Sequence, residues 1–259
     1  MKIVKPKVEL ITQSPGLLGI YEAIARAGRI CYASESQRGN QAFVSRLVEA
    51  HHYRPLEFGT VYLKMSDGKF YRKNPYSMVK HIKGMDYVTT NYRVIIENDK
   101  IHDLNWLVEP TEHHYKRYTF HWTIARSIAD EMRTHCTISS LMQSTRYCDY
   151  SKDKFGSSLT FIEPSESLQN KLAYKVIKCV WKVSEIAYKW LVRHGIKAQR
   201  ARSVLPLDIK TEFIQCAFAK DWENFFDQRY KGTTGAPHPD CKFIAEQAYQ
   251  LWEQRDNQN

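Results

Sequence analysis

The chain has 259 residues, of which 43% are hydrophobic and 13% aromatic, and this composition argues against disorder and for a packed core. Lysine and arginine total 38 against 28 acidic residues, a formal net charge of +10. Such a charge suits an anionic partner, either a phosphate ligand or a nucleic acid, and does not choose between them.

In chain order, the sequence first predicts two helices, over residues 15–30 and 40–51, because apolar residues recur there three and four positions apart. Three strands follow, over residues 60–65, 87–96 and 115–124, which are rich in β-branched and aromatic side chains. These segments predict a central, mostly antiparallel sheet.

The second half predicts a helix over 125–135 and the longest helix over 166–194. An apolar stripe along this longest helix is predicted to lie in the core or at a subunit interface; it consists of Leu168, Leu172, Val176, Cys179, Val183, Ile186 and Trp190. A strand over 207–218, a helix over 221–230 and a last helix from Pro239 complete the chain. The predicted class is α+β, one domain over residues 1–259, with helices flanking the sheet.

Cysteine and histidine spacing predicts neither disulfides nor a metal site. The six cysteines form no CxxC pair, so they are expected to be reduced thiols. The histidine pairs at 51–52 and 113–114 point apart in regular structure and lack a third ligand, so no metal is predicted. No run of about 18 apolar residues occurs, so we expect a cytoplasmic protein without membrane insertion.

Phosphate binding must be achieved without a glycine-rich loop, because neither GxGxxG nor GxxxxGK[ST] occurs. The run Gln143-Ser144-Thr145-Arg146 instead combines an amide, two hydroxyls and a guanidinium, groups that suit a phosphate and a base edge. The adjacent His135 and Cys136 could indicate a nucleophilic cysteine activated by a histidine. Sequence neighbours rarely face each other, so a packed or ligand-lining cysteine is favoured.

The residues 144–147 (STRY), 201–206 (ARSVLP) and Arg229 together resemble the nucleotide site of the flavin-dependent thymidylate synthase family. The run 55–60 (PLEFGT) resembles an earlier turn of that family, and the resemblance extends over nearly the full length. It implies an α+β fold and a homotetramer with sites where subunits meet. The implied reaction is reductive methylation of dUMP to dTMP with FAD as cofactor and with NADPH and methylenetetrahydrofolate as co-substrates.

The resemblance also implies roles for individual residues. Arg229 and Ser144 match catalytic positions, and a guanidinium such as that of Arg229 stabilises negative charge as the uracil ring ionises. The positions implied for dUMP are Glu131, Thr134, Gln143, Ser144, Thr145, Arg146, Arg202 and Arg229. The positions implied for FAD are Thr60, Thr134, His135, Cys136, Lys220 and Asn224.

One departure from the family is prominent: its Arg-His-Arg signature is replaced by Thr134-His135-Cys136. Each lost charged hydrogen bond is worth about 1.5 to 3 kcal/mol, so phosphate binding weakens unless Arg133 or another residue compensates.

Three alternatives therefore remain. The first is a divergent synthase, and the second is a dUMP-binding homologue with changed one-carbon chemistry, such as hydroxymethylation, or without catalysis. The third is a basic nucleic-acid-binding protein. This last is disfavoured because the basic residues are spread along the chain and no nucleic-acid-binding motif occurs.

Overall fold

The computed structural model describes residues 1–32, 39–152, 157–165 and 170–257. The first half contains β1 (Lys2–Val4), β2 (Lys7–Ile11), α1 (Gly16–Tyr32), α2 (Asn40–Glu49), β3 (Thr60–Met65), α3 (Lys69–Lys73), β4 (Met78–Ile82), β5 (Met85–Asn91) and α4 (Tyr92–Glu97). The second half contains β6 (Arg117–Ala125), α5 (Arg126–Met132), β7 (Ser139–Met142), β8 (Thr160–Ile162), α6 (Lys171–Arg193), α7 (Ala198–Ala201), β9 (Lys210–Phe218), α8 (Ala219–Phe226) and α9 (Pro239–Asn257).

The largest sheet in the described ranges has four antiparallel strands in the order β2-β6-β9-β7. Strands β6 and β9 pair along their whole length, with Arg117 opposite Phe218 at one end and Ala125 opposite Lys210 at the other. Large aromatic side chains from β6 and α8 pack together in the main core, among them Phe120, Trp122, Trp222, Phe225 and Phe226. The predicted α+β class with an antiparallel sheet flanked by helices is confirmed.

The predicted central sheet is divided. Strands β3, β5 and β4 form a separate antiparallel sheet, whose apolar side chains join those of α1, α2 and α4 in a second core. Strands β1 and β8 pair in parallel as a third, two-stranded sheet. The prediction that two helices open the fold is therefore wrong, because β1 and β2 come first.

The predicted strand over 87–96 is wrong beyond Asn91. The side-chain oxygen of Asn91 accepts a hydrogen bond from the backbone N–H of Val94 at 3.2 Å, which caps the start of α4. An asparagine cap satisfies one of the free N–H groups of a helix, and here it prevails over the β-branched composition of the segment.

The stripe along α6 is helical as predicted, but it is not core within this chain. The face of α6 that packs inward carries Trp181, Glu185 and Tyr188. The described apolar members of the stripe are exposed by half or more, namely Leu172, Val176, Val183, Ile186 and Trp190. Cys179 is exposed as well, and Leu168 lies outside the described residues. Helical periodicity locates an apolar face without indicating what covers it, so the interface alternative stays a prediction.

Candidate functional site

A cavity of about 270 Å³ lies between the end of α1, the helix α5 and the strand β7. Its lining combines three guanidinium groups with polar and apolar neutral side chains, contributed by Cys31, Arg126, Arg133, Ser140, Leu141, Met142, Gln143, Ser144, Thr145, Arg202 and Phe213. Four of the residues predicted to bind dUMP are therefore together here: Gln143, Ser144, Thr145 and Arg202.

The backbone after β7 is held on two sides. The N–H of Gln143 donates to the carbonyl of Glu212 on β9 at 2.8 Å, and the N–H of Ser144 donates to the carbonyl of Cys31 at the end of α1 at 3.0 Å. Gly59 lets α1 approach, because a Cβ at this position would lie 2.8 Å from side-chain carbons of α1. The polar run is thus fixed by one strand and one helix distant in sequence.

Gln143 carries an unused hydrogen-bonding atom. Its side chain is 4% exposed, and its buried Oε1 has no hydrogen-bond partner among the described residues. A buried acceptor left unsatisfied costs about 1 to 3 kcal/mol. An N–H or O–H donor that reaches this atom, after a rotation of the side chain towards the cavity, removes this cost.

Arginine side chains form the charged part of the lining. Arg202 Nη1 donates to the hydroxyl of Thr145 at 3.3 Å. Arg126 Nη1 donates to the carbonyl of Gln143 at 3.5 Å, and Arg133 Nε lies 3.1 Å from the Asp130 carboxylate. The resemblance assigned neither Arg126 nor Arg133, although their spacing along one helix was visible in the sequence.

Arg229 lies in a second cluster, outside the residues that line the cavity. It belongs to a π-helical turn, Asp227–Lys231, a rare geometry often found at functional sites. Arg229 Nε donates to His135 Nε2 at 3.0 Å, and its Nη2 donates to the Glu131 carbonyl at 3.2 Å and to the Thr134 hydroxyl at 3.1 Å. Its Nη1 lies 3.5 Å from the Glu131 carboxylate.

His135 is neutral in this cluster. Burial and then the positive charge of Arg229 lower the pKa of His135 from 6.5 to about 4. Only a neutral ring offers Nε2 as an acceptor to the guanidinium. The four residues Glu131, Thr134, His135 and Arg229 were all predicted for the site. Within one chain, however, none of them is among the residues that line the cavity with Ser144.

Two further predicted residues lie elsewhere. Arg146 is exposed, donates from Nε to the side chain of Gln199 at 3.4 Å and lies over the Tyr147 ring, 5.3 Å from its centroid. Thr60 is buried on β3, where its backbone N–H and carbonyl are both bound by the side-chain amide of Gln13. Neither residue is among those that line the cavity.

Four of the six positions predicted for FAD are exposed. Lys220 and Asn224 are exposed four positions apart on α8, and Cys136 is exposed beside Thr134. The neighbour of Asn224, Phe225, lies 5.0 Å from the His135 ring between centroids. An ammonium, an amide and a hydroxyl are groups that bind an anionic, hydrogen-bonding cofactor. The hydroxyl of Thr60 instead accepts a hydrogen bond from Arg117 Nη1 at 3.1 Å.

Across the described parts of the chain, no three His, Cys, Asp or Glu side chains converge as metal ligands. Within those ranges, too, no helix is both long and apolar enough to span a bilayer.

A family model described as "Thymidylate synthase complementing protein" matches residues 100–255 of the sequence. The chain belongs to this family. The resemblance to flavin-dependent thymidylate synthases is thereby confirmed. The matched range contains both the cavity-lining arginines and the Arg229 cluster, whereas Cys31 and Thr60 precede it.

Solved structures support the fold of this family member. It is similar to the crystal structure of PolB, a UMP/dUMP methylase from Streptomyces cacaoi bound with 5-Br UMP, with a TM-score of 0.52 and 14% identity over 98% of this chain and 92% of that one. A second PolB structure, bound with 5-Br dUMP, gives 0.51 and 15% over 98% and 93%. No curated protein matches the chain.

Proposed function

We propose that the protein binds dUMP in the cavity and methylates C5 of its uracil ring to give dTMP. Methylenetetrahydrofolate is the carbon donor, NADPH the reductant and FAD the cofactor. The observation that carries the proposal is the cavity itself, which Gln143, two hydroxyl side chains and three arginines line in a chain of this family. The PolB structures, with brominated UMP and dUMP bound, support it.

The cavity residues divide the recognition of the nucleotide. Gln143 Oε1 accepts a hydrogen bond from the uracil N–H or from a ribose hydroxyl, since both are donors. Arg202 binds the phosphate, because a guanidinium pairs with phosphate oxygens bidentately. The hydroxyls of Ser144 and Thr145 complete the polar lining. These contacts bind and orient the pyrimidine.

Arg229 stabilises the negative charge that develops on the uracil ring as C5 becomes nucleophilic. Its turn lies outside the cavity of its own chain, so we propose that it reaches a nucleotide held by a neighbouring subunit. On the exposed surface of α8, Lys220 and Asn224 would hold FAD. Bound and reduced, FAD supplies the hydride that completes the methyl group.

The exposed stripe of α6 supports the homotetramer that this arrangement requires. Its members follow steps of four, three, four, three and four from Leu172 to Trp190, which is the spacing of a coiled-coil seam. A contiguous exposed apolar face of this kind marks an interaction site. We propose that the stripe packs against other copies of the chain and brings Arg229 of one subunit to the cavity of another.

The test is turnover of dUMP labelled with tritium at C5, incubated with NADPH, FAD and methylenetetrahydrofolate. We expect tritium release that depends on the folate, together with dTMP identified by mass spectrometry. A protein that binds dUMP but retains no flavin after unbound FAD has been removed by gel filtration contradicts the flavin-dependent reaction. A protein that binds no dUMP contradicts the function as a whole.

A second candidate is a dUMP-binding homologue with altered one-carbon chemistry or without catalysis. It is favoured by one observation, the replacement of two signature arginines by Thr134 and Cys136. The same reaction mixture separates the candidates. A hydroxymethylated product indicates changed chemistry, and dUMP binding without tritium release indicates a binding protein.

A further inference from the structure

We infer that Arg126 and Arg133, together with Arg202, bind the phosphate of the nucleotide in the cavity that they line. This inference rests on the proposed function and deepens it, because it assigns the phosphate end of the same cavity. Both arginines line that cavity; Arg126 begins α5, and Arg133 is the residue that caps its end, directly before the altered signature.

The geometry of α5 places the two guanidinium groups together. Arg126, Asp130 and Arg133 follow one another at steps of four and three, so they lie on one face of the helix and its last turn. The Asp130 carboxylate lies 3.9 Å from Arg126 Nε and 3.1 Å from Arg133 Nε. This carboxylate therefore lies beside the Nε atom of each guanidinium group and leaves the terminal Nη atoms to other partners.

The outer nitrogens of these two side chains are available to a ligand. Arg126 Nη1 makes a 3.5 Å bond to the Gln143 carbonyl at the cavity wall, a long contact that a phosphate oxygen can replace. Among the described residues, the terminal nitrogens of Arg133 make no hydrogen bond, and its side chain is 60% exposed. Each arginine thus presents at least one terminal amino group.

Charge matching identifies the ligand group. The described lining has three guanidinium groups and no carboxylate. The Asp130 carboxylate, which lies beside the Nε atoms of Arg126 and Arg133, neutralises one of these positive charges. Two positive charges remain. A phosphate monoester carries about −1.5 to −2 at neutral pH, so one monophosphate balances the cavity.

Size narrows the ligand class further. Pockets for drug-sized ligands and cofactors run from about 300 to 1,000 Å³, and this cavity of about 270 Å³ lies just below that range. This volume is suited to a mononucleotide. Gln143 Oε1, unsatisfied and buried in the same lining, is the complementary acceptor for the nucleoside part.

Isothermal titration of the full-length protein with dUMP and with deoxyuridine tests the inference, because the two ligands differ only in the phosphate. The variants are Arg126→Gln and Arg133→Gln. The control is Arg46→Gln, which removes the same charge from an exposed position on α2. We expect each test variant to weaken dUMP binding about 10- to 100-fold and deoxyuridine binding less than about threefold. The control should change neither affinity.

The outcomes separate this inference from the proposed function. If wild-type protein binds dUMP but both variants weaken dUMP no more than deoxyuridine, or no more than the control does, the phosphate assignment is wrong and the function stands. If wild-type protein binds neither ligand, the function fails and the assignment with it. Should Arg126→Gln not fold, the exposed Arg133 decides alone.

Discussion

Replacing His135 by glutamine is expected to make folding less sensitive to acid. The ring of His135 is 8% exposed and accepts a hydrogen bond from Arg229 Nε at 3.0 Å. Protonation removes that acceptor and places a positive charge beside the guanidinium. Glutamine keeps an acceptor oxygen within reach of Arg229 and does not titrate.

The size of the effect follows from the pKa of His135, which is lowered from 6.5 to about 4 in the folded protein. The unfolded chain takes up a proton as pH falls through 6.5, whereas the folded chain does so only near 4. The unfolded state therefore binds more protons in this interval, and stability falls as pH falls. The full shift corresponds to about 3 kcal/mol, of which about 2 kcal/mol is lost between pH 7 and pH 5.

The measurement is the free energy of unfolding in urea at pH 7 and at pH 5, for wild type and His135→Gln. Two buried or half-buried carboxylates, Asp86 and Glu212, have pKa values lowered to about 2, so most of their contribution is lost in more acidic solution. Burial also lowers the pKa of His114, so this residue contributes to the pH dependence of the free energy of unfolding in both proteins. The difference in pH dependence between wild type and His135→Gln therefore gives the contribution of His135 alone. A substitution at an exposed histidine, His52→Gln, serves as control.

Equal losses of stability in wild type and His135→Gln between pH 7 and pH 5 would show that His135 is not a neutral acceptor for Arg229. The same conclusion follows if His52→Gln reduces the pH dependence of stability as much as His135→Gln does.

Three other outcomes are expected. Arg229→Ala should lower kcat for dUMP turnover by about 100-fold or more while far-ultraviolet circular dichroism is unchanged, and unchanged activity contradicts its role. If the α6 stripe packs against other copies as proposed, Ile186→Lys should reduce the assembly mass in light scattering, because it places an unpaired charge in that apolar contact, whereas Lys182→Ala should leave the mass as it is. Gln143→Met should weaken dUMP binding about 10-fold. It should also raise the stability of the unliganded protein by about 1 kcal/mol, because an unsatisfied buried acceptor is removed. A lower stability in calorimetry would contradict the unsatisfied state of this acceptor.

The fold could be predicted where periodicity and propensity agree. Strand β3, the end of α6 and the beginning of α9 follow local patterns closely. Short pairings such as β1 with β8 depend on contacts between distant segments, which local composition does not encode. The division into separate sheets has the same origin. At Asn91, a single side-chain hydrogen bond decides between strand and helix.

The candidate site was predictable where its residues are contiguous. Gln143, Ser144 and Thr145 line the cavity together because they follow one strand end. The spacing of Arg126 and Arg133 can be read from the sequence, but the side of the helix that faces the cavity cannot. The lack of a partner for the side-chain oxygen of Gln143 can be recognised only when all neighbouring atoms have been placed. Nothing in the sequence separates Arg229 from the cavity, because that separation depends on how α8 and its π-helical turn pack.

The helix α5 carries Arg133 on the cavity side of its last turn and Glu131 on the side of Arg229. With seven residues it is too short to persist through its own hydrogen bonds, since isolated helices need about 12 to 15 residues. Its buried side chains, Ile128, Ala129 and Met132, fix its position in the core. Damage to this packing would therefore present as a loss of enzyme activity, although the altered side chain touches no substrate. Mutational screens for catalytic residues should return false positives at these three positions.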